Sequence, residues 1–313
     1  MGENQVGQNE TRVQEFILLT FPGSLYLKTS IFTLFLLMYI LAISGNLAII
    51  ILVLTNGRLH TVIYYLLCNL SFLEIWYTTT TIPKTLPILL GRSQSISFTG
   101  CLLQMYFSYS FGCIEYFLLA LMAYDQYLAI CHPLCYNTIM DISLSGKLAA
   151  SSWLCGFLIL SVPAYLIARL SFCGPNVINH FLCSVDSWIV LSCTETHAVE
   201  VSIFVIAVIV IFSSFSITLL SYISIISTIL RIPSSKSLQK AFSTCSSHFA
   251  FVVIWYGSTR IFLFVKPSKS RSLETTKTVN ILNIIVTPVL NPFIYALRNK
   301  EVREASRSSL RWK

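Results

Sequence analysis

Long stretches of this chain carry no charge. Residues 29–54, 148–168, 201–230 and 278–297 contain no Asp, Glu, Lys or Arg, and 241–259 contains only one His. Two further blocks hold a single acid each: 59–83 holds Glu74 and 99–124 holds Glu115. Each block is close to or above the ~20 residues a helix needs to cross a ~30 Å hydrocarbon core. Lipid offers the backbone no hydrogen-bond partners, so such blocks must satisfy themselves as helices. A lipid barrel would show short alternating strands instead, and no such pattern is seen. The expected fold is therefore an all-α membrane protein, a seven-transmembrane helix bundle. The spans are placed at about 28–54, 60–86, 98–131, 145–168, 198–231, 237–264 and 273–297.

Composition excludes the soluble alternative. The chain is 55% hydrophobic and 11% charged, against about 25% charged residues in soluble domains. Residues 1–27 are mostly polar and lack the basic-then-apolar opening of a cleaved signal peptide, so the first span is expected to direct its own insertion. Orientation is less obvious. With the N-terminus outside, the 21 Lys and Arg residues split 11 inside to 10 outside, so the positive-inside rule barely decides. Asn9-Glu10-Thr11 is a glycosylation sequon in a polar tail, which suits the outer side. Cysteines gather in 169–197, the one long connection, which the same topology puts where disulfides persist. The tail 298–313 is basic with interspersed apolar residues, as in a short amphipathic helix on the inner leaflet.

Polar groups inside spans are expensive and functional by default. Glu74 and Glu115 lie mid-span in the second and third helices, and Asn46 and Asn291 at similar depth in the first and seventh. The four are expected to form one buried cluster. Two nearby carboxylates either share a proton or hold a cation such as sodium. Pro288 and Pro292 kink the seventh span, with Asn283, Thr287 and Asn291 as candidate partners for the freed carbonyls.

Several motifs then converge. Gly45-Asn46 stands in the first span, and Asn69-Leu70-Ser71-Phe72-Leu73-Glu74 in the second. Met122-Ala123-Tyr124-Asp125-Gln126-Tyr127, continuing to Leu134, ends the third. Ser221-Tyr222 lies in the fifth, and Lys240-Ala241-Phe242-Ser243-Thr244-Cys245-Ser246-Ser247-His248 opens the sixth. Pro288-Val289-Leu290-Asn291-Pro292-Phe293-Ile294-Tyr295 ends the seventh. Along nearly its whole length the chain resembles an olfactory (odorant) receptor, within the rhodopsin-like G-protein-coupled receptors.

That resemblance implies a small volatile odorant in the outer half of the bundle, a stimulatory G protein on the inner face acting through cAMP, and the plasma membrane as location. It implies a switch formed by Asp125, Gln126, Tyr127, Tyr222, His248, Pro292 and Tyr295. On the third span the implied ligand positions are Ser108, Tyr109, Gly112 and Cys113. On the fifth they are Ile203, Ile206, Ala207 and Val210. On the sixth they are Tyr256, Thr259, Arg260 and Leu263, which share one helical face. An Arg260 turned to the cavity would favour an anionic or strongly accepting ligand. Four outer cysteines allow three pairings; the resemblance selects Cys101 with Cys183 and Cys173 with Cys193. The main departure is Gln126, where the family has Arg. Gln cannot form the ion pair with Asp125, although a hydrogen bond between them would replace part of it. Weaker coupling is the expected result. Ser184 stands where the family often has Asp.

Other classes fit less well. A transporter or channel would favour internal repeats and broken mid-membrane helices, and no repeat is found. Glu74 and Glu115 lack any protease or hydrolase motif around them, so the chain is not expected to be an enzyme. His180 with Cys183, and Cys245 with His248, have too few neighbours for zinc. No metal beyond the candidate sodium, no other cofactor and no nucleic-acid partner is expected.

Overall fold

The computed structural model describes residues 13–19, 21–173, 175–231, 249, 252–253, 255–257, 277–278, 280–298 and 302. Its long helices are α1 (Leu25–Thr55), α2 (Val62–Leu89), α3 (Phe98–Cys131), α5 (Ile142–Ala168) and α7 (His197–Leu230). Between them lie the short helices α4 (Tyr136–Ile139) and α6 (Val185–Leu191). The described residues among 249–257 are helical, and the chain closes on α8 (Thr287–Arg298). By length and composition α1, α3, α5 and α7 can each cross a membrane.

Helix starts follow local chemistry. Ser24, Ser97 and Asp141 cap α1, α3 and α5, each side-chain oxygen accepting a backbone N–H three residues on, which relieves one of the orphan donors at a helix start. Ser184 does the same for α6, accepting from Ser187 N. Ser there keeps the capping oxygen that Asp would have supplied.

The core lies between α2 and α3, where Leu66, Leu73, Leu118, Leu119 and Met122 are fully buried. The outward faces of α1, α5 and α7 instead present Leu54, Leu154 and Phe212, each at least 60% exposed. So large an apolar exterior belongs against lipid. Two glycines set helix spacing. A Cβ on Gly45 would lie 2.9 Å from Pro292 Cβ, and one on Gly156 would lie 2.3 Å from Ile114 Cγ1. Gly45 thus admits α8 against α1, and Gly156 admits α3 against α5.

The kink before α8 is a π-helical turn, Leu282–Val286. Pro288 has no N–H to donate, and a wider turn accommodates the gap. Thr287 Oγ1 donates to Leu282 O (2.9 Å), and Asn46 Nδ2 donates to Pro288 O (3.0 Å). Of the partners expected from sequence, Thr287 serves the kink; Asn291 turns to Glu74 instead, and Asn46 reaches across from α1. Beyond α8, Val302 is helical and buried, and the remainder of the expected tail helix lies outside the described residues.

The end of the bundle that carries the 169–197 connection departs from an all-helical picture. Residues 15–18 form a strand, β1 (Glu15–Leu18), inside the segment read from sequence as a polar tail. It pairs antiparallel with β2 (Ser95–Ser97) and parallel with β3 (Val177–Ile178). Phe16 is fully buried, its ring in contact with Phe98, Phe172 and Trp188. The signal was there, since Glu15 to Leu18 alternates outward and inward at period two. Four residues beside long apolar blocks were too few to stand out.

Candidate functional site

An apolar cavity of about 180 Å³ lies in the half of the bundle nearer the disulfide-tied 169–197 connection. From α3 it is lined by Ser108, Tyr109, Gly112 and Cys113, and from α7 by Ile203, Ile206, Ala207 and Val210. These eight positions are the ones named from sequence on those two helices. The sixth segment contributes Trp255. Tyr256 does not line the cavity; it is buried against Tyr116 and Phe215, with ring centroids 5.3 and 5.5 Å away. One residue is ~100° of helical rotation, so the face toward the cavity is set by Trp255. Thr259, Arg260 and Leu263 lie outside the described residues.

Sequence reasoning missed Tyr77, Tyr116, Asn280 and Asn283 in the wall. The two Asn residues, three apart in an apolar span, carried a signal, because intramembrane polar groups normally face the bundle interior. The sequence offers Asn283 as a candidate partner for the proline kink, and the structure places it in the cavity wall.

The lining offers few polar groups. Tyr109 Oη accepts from Val185 N (3.4 Å), which leaves its own proton to donate. Ser108 Oγ pairs with Thr80 Oγ1 (3.3 Å). No charged side chain lines the cavity among the described residues. The loop over it is pinned from three sides. Cys183 N donates to Gln104 Oε1 (2.9 Å), Thr85 Oγ1 donates to Phe181 O (3.1 Å), and Cys183 is disulfide-bonded to Cys101. Cys173 is bonded to Cys193. Leu182, held between these ties, forms part of the cavity wall. His180 Nδ1 accepts from Leu182 N (3.2 Å), leaving Nε2 toward the Asn280 amide at 3.3 Å. Burial, and then the charge of Lys277, lower the His180 pKa to about 3. The imidazole is therefore neutral at pH 7.

Deeper in the bundle, Asn291 Nδ2 donates to Glu74 Oε1. Glu115 is fully buried, and neither of its carboxyl oxygens has a hydrogen-bond partner; Glu74 Oε2 also lacks one. Asn46 is not bonded to either acid, because its amide donates to Ala42 O and Pro288 O. Among the four residues expected as one cluster, the hydrogen bond runs between Glu74 and Asn291, Glu115 lies near enough to Glu74 for their charges to interact, and the Asn46 amide serves the kink.

At the end of the bundle away from the disulfides, Asp125 Oδ1 accepts from Tyr136 Oη (2.7 Å). Gln126 is buried with its side-chain oxygen unpaired. The hydrogen bond to Asp125 expected of Gln126 is thus made by Tyr136. Tyr127 Oη pairs with His132 Nε2 (2.9 Å), and Cys131 Sγ with Thr228 Oγ1 (3.2 Å), joining α3 to α7. Tyr222 is buried with its ring 5.1 Å from Phe249. Pro292 packs against Gly45, and Tyr295 lies in α8. His248 and Asn9 lie outside the described residues.

The family model described as "Olfactory receptor" matches residues 35–312. Olfactory receptor 6F1 of Homo sapiens is 63% identical over 296 residues, covering 95% of this chain and 96% of that protein. Olfactory receptor 287 of Rattus norvegicus is 58% identical over 307 residues, covering 98% of each. Among solved structures, squid rhodopsin superposes with a TM-score of 0.70 at 15% identity, over 95% of this chain and 91% of that one. That likeness shows a rhodopsin-like helix-bundle fold.

Proposed function

Because this chain belongs to the olfactory receptor family, a family of membrane receptors and not of enzymes, we propose that it binds a small, neutral, largely apolar volatile in the outer cavity and activates a stimulatory G protein. The observation that carries this reading is the cavity itself: enclosed by three or more helices, apolar, and furnished with the free hydroxyl proton of Tyr109. Ligand pockets in helix bundles have this make-up. The matching ligand has an apolar body and one hydrogen-bond acceptor, such as a ketone, aldehyde or ester. In this reading the N-terminus is extracellular, Asn9 carries the glycan, and the receptor works at the plasma membrane.

A ligand that wedges α3 from α7 shifts their relative position, and the inner ends of the same helices carry Asp125, Tyr222 and the Cys131–Thr228 contact. Occupancy is thereby coupled to the G-protein face through differential contacts in two helix arrangements. Glu74 and Glu115 sit between the two ends, and their free carboxyl oxygens suit a shared proton or a sodium ion. The test is a cAMP assay of Tyr109→Phe against wild type. Potency for a carbonyl ligand should fall about 5- to 10-fold, the size of one hydrogen bond, while potency for a matching hydrocarbon stays. Equal loss for both removes Tyr109 from ligand recognition.

A second reading is a receptor-shaped protein with weak coupling. It is favoured by one observation: Gln126 is buried with an unpaired oxygen where the family has Arg.

A further inference from the structure

The cavity between α3 and α7 has a second polar wall, in the helical segment just before the π turn. Asn280 lines it there, and the Asn280 amide lies 3.3 Å from His180 Nε2. His180 belongs to the disulfide-tied connection and is fully buried, its ring centroid 4.7 Å from that of Phe181. Beside it, Lys277 Nζ donates to Asn179 Oδ1 (3.3 Å).

The proton count of His180 decides which way Asn280 points. The imidazole is neutral, because burial and the Lys277 charge both disfavour a second proton. A neutral imidazole has one N–H and one bare nitrogen. The backbone N–H of Leu182 can only donate, and it donates to Nδ1 (3.2 Å). Nδ1 is thus the bare nitrogen, and the proton sits on Nε2. Whatever faces Nε2 must accept. The oxygen and nitrogen of an amide are told apart by the hydrogen bonds they make. Nδ2 against the Nε2 proton would set two donors together, so the amide turns Oδ1 to His180. The NH2 then takes the other branch, where Asn280 makes no further hydrogen bond among the described residues. Asn280 is half-buried and lines the cavity, so that branch opens into it.

We propose that His180 locks the Asn280 amide with its NH2 toward the cavity, so that the site recognises ligands carrying two hydrogen-bond acceptors, such as diketones and keto esters. One acceptor meets the Tyr109 hydroxyl on α3, and the other meets Asn280. The lock holds because His180 is itself fixed: Nδ1 is tied to Leu182 N, and the next residue, Cys183, is tied to Cys101 and Gln104. His180 acts through Asn280 and is a positioning residue. The inference deepens the reading of this cavity as the ligand site and rests on it.

The test measures ligand-induced thermal stabilisation of the purified full chain in phosphatidylcholine nanodiscs, a readout independent of G-protein coupling. The probes are straight-chain aliphatic monoketones and diketones of matched length, with the two carbonyls at every spacing. At least one diketone should bind about 5- to 10-fold more tightly than its monoketone, the size of one hydrogen bond. Asn280→Leu should bring that ratio to about one, and Asn280→Ala serves if Asn280→Leu does not fold. Tyr109→Phe should weaken both ligands. His180→Phe frees the amide, which then presents its NH2 about half the time, so the ratio should fall about twofold. His180→Gln, which can donate to Asn280 from its own amide, should keep it. Diketones no better than monoketones at any spacing would overturn the proposal, as would an unchanged ratio in a folded Asn280 variant. A ratio unmoved by His180→Phe would overturn the lock. Absence of binding by every ketone would instead overturn the cavity as the ligand site, and this proposal with it.

Discussion

At the scale of single residues, what a side chain lacks is as telling as what it contacts. Gln126 is buried beside Asp125, yet Asp125 is held by Tyr136 and the Gln126 oxygen is left without a partner. A buried unpaired acceptor costs about 1–3 kcal/mol, and the neutral amide offers the G protein no cation. Gln126→Arg is therefore expected to raise agonist-driven cAMP several-fold at unchanged surface display; unchanged output would show that Tyr136 suffices to set the switch. His180 gives a pH prediction. Its folded pKa, about 3, lies below the usual 6.5 because burial and Lys277 disfavour the proton. The unfolded chain then binds more protons below pH 6.5. Stability is complete above 6.5 and falls as pH drops from 6.5 toward 3, by up to ~1.4 kcal/mol per unit. Thermal unfolding between pH 7.5 and 5 should show that slope, and His180→Gln should flatten it. A slope unaffected by the substitution would assign the pH dependence elsewhere. Much at this scale was legible in advance: an acid or Asn inside an apolar span announces itself by its cost. Which of those groups meet was not legible, since Asn46, whose amide donates to Pro288 O, and Glu115, which makes no hydrogen bond, have the same sequence signature.

At the scale of elements, spans are easy to read and their faces are not. A charge-free block of 20 or more residues has one structural solution in lipid, so α1, α5 and α7 follow from composition, and α3 follows from a block that holds one acid. Their apolar residues are spread around the whole circumference, however, and burial cannot be read from polarity when the solvent is also apolar. That is why Tyr256 was placed on the cavity in place of Trp255, and why the close approaches at Gly45 and Gly156 went unremarked. Gly156→Val should push Ile114 out of its seat on α5 and destabilise the bundle by about 1–3 kcal/mol. A thermal-shift measurement that finds Gly156→Val as stable as wild type would contradict the packing described. The outer sheet makes a separate prediction. Phe16→Ala removes the ring at the centre of the Phe98, Phe172 and Trp188 cluster, at a cost of about 3–5 kcal/mol for a buried aromatic. Hydrogen exchange at the Ile17, Leu18 and Leu19 amides, which bond Asn176, Gln94 and Ile178, should accelerate first. Exchange that stays slow would mean that the backbone pairing stands without the ring.

For the molecule as a whole, two ends of one bundle are joined by α3 and α7. One end carries a disulfide-tied loop, a small sheet and an apolar cavity. The other end carries the Asp125–Tyr136 and Cys131–Thr228 contacts. Signalling requires that occupancy of the first alter the second. The most direct measurement is a cAMP dose–response, at matched surface display, to neutral volatile ketones, aldehydes, alcohols and esters alongside carboxylic acids. It compares the native chain with Ala207→Phe, which fills the cavity, each tested with and without Gln126→Arg. The account predicts that at least one neutral ligand raises cAMP and that Ala207→Phe shifts its potency at least about tenfold, the loss of ~1.4 kcal/mol of contact. Full potency in a folded Ala207→Phe, or silence toward the whole panel in both the native and the Gln126→Arg receptor, would contradict it.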